Sequence, residues 1–87
     1  MKIKDGFITR KIGDTNYAVS FDESSPIGNG MIKLSDSAFF IWQMLENEIT
    51  ADEILSAMKE NFQADEEVLR RDIEAFITKL NELGIIE

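Results

Sequence analysis

The side chains here that could do acid–base or nucleophilic chemistry are carboxylates, amines, guanidinium groups and hydroxyls, because the 87 residues include no His and no Cys. That removes the commonest general base, the commonest metal ligands and the most reactive nucleophile. The 17 carboxylates fall at helix starts and on exposed faces rather than in a facing pair. Asp52 and Glu53, like Glu66 and Glu67, read as first-turn residues, where the helix dipole favours an acid. Gly28-Asn29-Gly30 lacks the lysine and the following helix spacing of a phosphate loop. These features point away from an enzyme and away from any bound metal or cofactor.

What remains is chemistry of recognition, and it centres on the stretch from Asn29 to Phe40. Residues 30–34 read as a short strand, with Ile32 and Leu34 on one face and Met31 and Lys33 on the other. At Ser35 the period changes from two to 3.6. Ser35 is a natural N-cap, and Leu34 and Phe39 are spaced for a hydrophobic staple. Everything before this junction reads as strand, and everything after it as helix.

Residues 4–12 alternate Ile8, Arg10 and Ile12 against Phe7, Thr9 and Lys11, a half-buried strand. Gly13-Asp14 is hairpin-turn chemistry. Residues 15–21 set Tyr17, Val19 and Phe21 against Asn16, Ala18 and Ser20, the clearest strand of the three. Residues 22–29, with the only proline, form a loop by composition. In the first helix Ala38, Ile41, Trp42 and Leu45 repeat at helical spacing, widened by Phe39, Phe40 and Met44. Thr50 and Glu53 form a capping box for the second, whose inner face carries Ile54, Leu55, Met58 and Phe62. Asp65 caps the third, lined by Leu69, Ile73, Phe76, Leu80 and Leu83. Gly84 then stops it and Ile85-Ile86 tuck back onto the body. The expected fold class is α+β: a three-stranded antiparallel sheet followed by three helices packed on its apolar face, a winged helix-turn-helix. At this length one domain is expected, and nearly every strong apolar residue should be inside.

Charge separates the candidate partners. Through Lys33, five bases face four acids; from Leu34 onward four bases face 13 acids, within a net charge of −8. Such a helical half repels a phosphate backbone. A DNA-reading third helix would need a basic face, yet Arg70, Arg71 and Lys79 sit among Asp65, Glu66, Glu67, Asp72, Glu74 and Glu82. Arg70 and Arg71 are expected to pair with neighbouring acids. Asp36-Ser37 at a helix start invites comparison with an acyl carrier protein, but carrier proteins place a helix before that serine and here strands precede it. No apolar run spans a bilayer and no leader resembles a signal peptide, so a cytoplasmic monomer is expected.

A peptide-binding module fits the remaining features. A third strand at a sheet edge leaves backbone groups unpaired on one side, and an extended peptide can add there as a strand. The groove would lie between that strand and the third helix. Val68, Asp72, Ala75 and Lys79 form a stripe on this helix. Ala75 is small enough to let a peptide approach, Val68 and Phe76 could floor a pocket, and Arg71, Asp72 and Lys79 could hold a polar group. Each of these also fits an ordinary boundary position. The candidate contacts are Asn29, Gly30, Met31, Ile32, Lys33, Val68, Arg71, Asp72, Ala75, Phe76 and Lys79.

The ordered set Gly6-Phe7-Ile8-Thr9-Arg10, Tyr17-Ala18-Val19 and Asn29-Gly30-Met31-Ile32-Lys33-Leu34-Ser35 resembles the PqqD-like family. So do Phe39 through Trp42 to Leu45, Thr50-Ala51-Asp52-Glu53-Ile54, and Asp72-Ile73-Glu74-Ala75-Phe76-Ile77 leading to Leu83-Gly84-Ile85-Ile86. The resemblance covers almost the whole chain, residues 1–87 as one peptide-recognition domain. It implies a non-catalytic winged helix-turn-helix that binds the leader of a ribosomally made precursor peptide and brings it to a modifying enzyme. The leader would add to the third strand and pack on the third helix, which points to Gly30, Met31, Ile32 and Lys33 and to the stripe around Asp72 and Phe76. A free-standing domain of this length is similar to PqqD of the pyrroloquinoline quinone pathway, partner of a radical-SAM enzyme. It is equally similar to the stand-alone leader-binding protein of lasso-peptide pathways, partner of a leader peptidase. The Lys/Ile/Asn-leaning composition favours the lasso type.

Overall fold

Three strands come first and three helices follow, as the period change at Ser35 predicts. The structure, a computed structural model, describes residues 1–21 and 30–87, so the expected loop at 22–29 lies outside the described residues. Strands β1 (Phe7–Ile12), β2 (Thr15–Ser20) and β3 (Met31–Leu34) form one antiparallel sheet in the order β1-β2-β3. Ile12 pairs directly with Thr15, so Gly13-Asp14 is a two-residue turn. Gly13 takes φ +63 there, the positive value that a II′ hairpin turn needs at its first central residue.

The first strand begins at Phe7 rather than at residue 4. Gly6, at φ +104, breaks the extended run before it. The preceding segment pairs elsewhere: Ile3 bridges to Ile86, and Lys4 N–H donates to the Ile85 carbonyl at 2.8 Å. Ile3, Ile85 and Ile86 are all buried, so the two ends of the chain close one side of the core together.

Helices α1 (Asp36–Met44), α2 (Ala51–Asn61) and α3 (Glu66–Glu82) start and stop on local signals. Ser35 Oγ accepts from Ala38 N–H at 3.2 Å. Thr50 and Glu53 form the reciprocal capping box, at 3.2 and 3.1 Å. Asp65 stands at the N-cap of α3, but its carboxylate makes no capping hydrogen bond. Gly84, at φ +73, ends α3 in a Schellman motif: Ile85 N–H donates to Leu80 O at 2.9 Å and Gly84 N–H to Asn81 O at 3.0 Å.

The core lies between the helices and one sheet face. Trp42, Ile41, Leu45, Ile54, Met58, Ile73 and Leu80 are fully buried, and Phe7 meets Trp42 edge-to-face at 5.8 Å. Register puts Phe7 opposite Ser20, and Thr9, Ala18 and Ile32 in one row on this inner face. The small Ala18 and Ser20 are the β2 residues that the helices cover, while Tyr17 and Val19 stand on the other face. Small side chains at mid-sheet let α1 lie close, and Trp42 and Phe7 supply the bulk. The expectation that nearly every strong apolar residue is inside therefore fails: Ile8, Ile12, Phe21, Met31 and Val68 are exposed. α1 lies directly on one face of the three-stranded sheet with α2 and α3 packed behind it, and the other face has no layer on it among the described residues.

An ion pair ties α2 to α3, with Lys59 Nζ 3.1 Å from Glu66 Oε1. The hydrogen bond and charge of Lys59 hold the Glu66 carboxyl below the usual range. A carboxyl depressed in the folded state adds stability above its unfolded pKa of about 4.3. That contribution is lost as pH falls through the lower, folded value. Carboxyl-detected NMR should show Glu66 titrating below the usual glutamate range. Lys59→Met should return it to the ordinary range, and high salt should weaken the shift because the pair is exposed.

Candidate peptide-binding site

β3 is an edge strand, paired only with β2 among the described residues. Ser20 N–H donates to the Gly30 carbonyl at 3.3 Å, which marks residues 20 and 30 as a hydrogen-bonded pair. Pairs alternate along an antiparallel ladder, so Ile32 bonds back to its partner Ala18. Met31 and Lys33 then direct their N–H and C=O groups outward, to the free edge. Their side chains stand on the outer face, while Ile32 and Leu34 turn toward the helices. Gly30, Met31, Ile32 and Lys33 thus form one continuous edge. The candidate contact Asn29 lies outside the described residues.

No Cα of β3 comes within 8 Å of a Cα of α3; α1 bridges the gap. An open cavity of about 270 Å³ lies in that region, lined by Ser35, Ser37, Ala38 and Ile41 of the α1 start and by Asp72, Ala75, Phe76 and Lys79 of α3. Helical spacing explains the second set, since residues 72, 75, 76 and 79 share one face. Ala38, Ile41, Ala75 and Phe76 supply apolar surface; Ser35, Ser37, Asp72 and Lys79 supply hydroxyls and one charge of each sign. Neither Asp72 nor Lys79 takes part in an ion pair among the described residues. Both are exposed and available to a ligand.

Four of the candidate helix residues therefore line one cavity. Val68, exposed, lies one turn earlier on the same stripe, whereas Arg71 is exposed outside the lining. Ser35, Ser37, Ala38 and Ile41 escaped the sequence reading as groove residues. Their cap and core roles account for their types, and only the small size of Ala38 hinted at a concave wall. A larger open cavity, about 680 Å³, lies at the other sheet edge beside Lys2, Lys4, Asp5, Phe7, Phe21 and Glu46. It is walled by charges of both signs, and no helix pair forms a trough along it.

The arrangement offers an extended chain two things at once. Outward N–H and C=O groups on β3 can pair with its backbone, and the cavity can take alternate side chains from its inner face. Among the described residues no group of three or more Asp and Glu side chains is placed to hold a metal ion. Arg70 lies 3.8 Å from Asp52, so one of the three cations on α3 is already directed at an acid. No described helix is long and apolar enough to cross a membrane.

Residues 18–86 match the family of coenzyme PQQ synthesis protein D, PqqD. The chain belongs to the PqqD family. The match runs from β2 to the bridge residue Ile86, so it includes the β3 edge and the two helices, α1 and α3, that wall the cavity. Two solved structures share the fold of this PqqD-family chain. One is TbiB1 in complex with the TbiA(beta) leader peptide, 23% identical, with a TM-score of 0.77 over 100% of this chain and 95% of that one. The other is a lasso peptide synthetase B1 complexed with the leader peptide, 17% identical, with a TM-score of 0.73 over 97% and 93%. Comparison with curated proteins returns no match.

Proposed function

We propose that this PqqD-family domain, residues 1–87, is a non-catalytic binding protein for the leader of a ribosomally synthesised precursor peptide. The leader adds as a fourth strand to β3, sets alternate side chains into the cavity between α1 and α3, and is delivered to a modifying enzyme, a lasso-peptide leader peptidase or similar. The observation that carries this reading is the free β3 edge beside an apolar trough with two unpaired charges at its rim. Family membership and two fold neighbours held with leader peptides support it. The contacts proposed are Asn29, Gly30, Met31, Ile32, Lys33, Val68, Arg71, Asp72, Ala75, Phe76 and Lys79, of which Arg71 stands outside the cavity lining. A cytoplasmic, monomeric protein without cofactor forms part of the same proposal.

The family name favours a second reading, a PqqD-type chaperone for a radical-SAM enzyme of pyrroloquinoline quinone synthesis. One experiment separates them. Labelled leaders of the lasso type and of the quinone-pathway type are titrated in turn, following anisotropy, with backbone NMR shifts on the same samples. Saturable binding of the lasso-type leader, with shifts at residues 30–33 and 68–79, supports the first reading. Binding of the other leader alone supports the second. Shifts confined to Phe7–Ile12 would move the site to the opposite sheet edge, and no binding of either would remove leader recognition.

A further inference from the structure

The helices leave the outer face of the sheet uncovered. Register sets Ile8, Val19 and Met31 in one row across it, and Arg10, Tyr17 and Lys33 in the next. Ile12 adds a second apolar residue on β1, and Ile8, Ile12 and Met31 are 42%, 54% and 55% exposed. Among the described residues the charges on this face of the three strands are Arg10 and Lys33, and no strand carboxylate shares it. Of the 17 acids, 13 lie in the helical half of the chain.

Resting on the leader-binding reading above, we propose that this face docks the processing enzyme through an enzyme patch that is apolar and bordered by carboxylates, and that the bound leader strand completes the docking surface. Charge complementarity argues for the carboxylates, since Arg10 and Lys33 flank the apolar rows. By itself the bare face is small: three strands about 4.8 Å apart and six residues long present on the order of 300 Å², against about 800 Å² per partner in a standard interface, so its occupant must reach beyond it. A second copy is disfavoured because two such faces together would gather the same cations into one patch. Continuity argues for the leader: a strand added beside β3 extends the same sheet, and alternate leader residues project onto the outer face next to Met31 and Lys33. A partner seated there touches domain and leader together and so distinguishes the loaded from the empty state.

The test uses the full chain, a purified lasso-type leader peptidase and the labelled lasso-type leader. The triple variant Ile8→Ser/Arg10→Glu/Ile12→Ser changes only β1, two strands from the leader edge, and Arg10→Glu alone serves as the milder variant. Wild-type protein is expected to bind the enzyme about tenfold more tightly when loaded with leader, and the triple variant to lose at least about tenfold of that affinity. Both variants should bind leader like wild type in anisotropy. Enzyme affinity unchanged in both variants, or no effect of leader on wild-type docking, overturns the proposal. A concentration-dependent dimer in sedimentation velocity, abolished by the triple variant, also overturns it and makes a second copy the occupant. Failure of wild type to bind leader would appear first, in anisotropy, and would take this inference down with the reading beneath it.

Discussion

Replacing Lys33 with proline is expected to lower leader affinity by about 10- to 100-fold, and the fold is expected to survive. The register explains the pairing of these two outcomes. Lys33 directs its N–H away from β2, so proline there removes no bond of the sheet's own ladder. It removes a donor from the free edge and leaves a leader carbonyl unpaired, a cost of about 1–3 kcal/mol. Met31→Pro should act in the same way. Ile32→Pro is the contrasting variant, because Ile32 bonds back to Ala18; it should lose thermal stability as well as binding. Anisotropy titration with the labelled leader, beside thermal melts by circular dichroism, measures both quantities. Normal leader affinity in a folded Lys33→Pro protein would show that β3 does not receive the peptide.

Ala75→Trp is expected to cost about 100-fold or more in leader affinity, equivalent to roughly 3 kcal/mol. Ala75 lines the cavity between α1 and α3 and is itself exposed. An indole at this position projects into about 270 Å³ of open space that the leader's inner-face side chains would otherwise occupy. Because no buried neighbour is displaced, the overpacking penalty of a core substitution does not apply, and the melting temperature should stay close to wild type. Ala75→Ser, nearly isosteric, should bind normally. Equal affinities for the tryptophan and serine variants would place the leader elsewhere.

Both expectations depend on positions that the sequence revealed unequally. Met31 and Lys33 were readable as one strand face, and β3 as a free edge followed from its being the last strand. That these two, and not Ile32, turn their N–H groups outward was not readable, because that phase depends on pairing with β2. The stripe of Asp72, Ala75 and Lys79 followed from helical spacing alone. The opposite wall, Ser35, Ser37, Ala38 and Ile41, did not. It belongs to a helix start whose residue types are already explained by capping and core packing, and its distance from α3 is a tertiary quantity.

The elements of this chain were written locally. The shift from period two to 3.6 at Ser35, the Thr50–Glu53 box, the Gly13-Asp14 turn and the Gly84 stop act within a few residues, so nearest-neighbour chemistry is enough to place them. The choice of buried sheet face was not local. Alternation makes both faces of β1 and β2 partly apolar, and the larger side chains of β2 suggest the wrong one. Packing favoured Ala18 and Ser20 because the helix needs to lie close to the sheet, and that left Ile8, Ile12 and Met31 on the outside. The cavity, the outward phase of the β3 edge and the uncovered face all follow from where helices and sheet meet, an outcome of their joint packing that no single segment encodes.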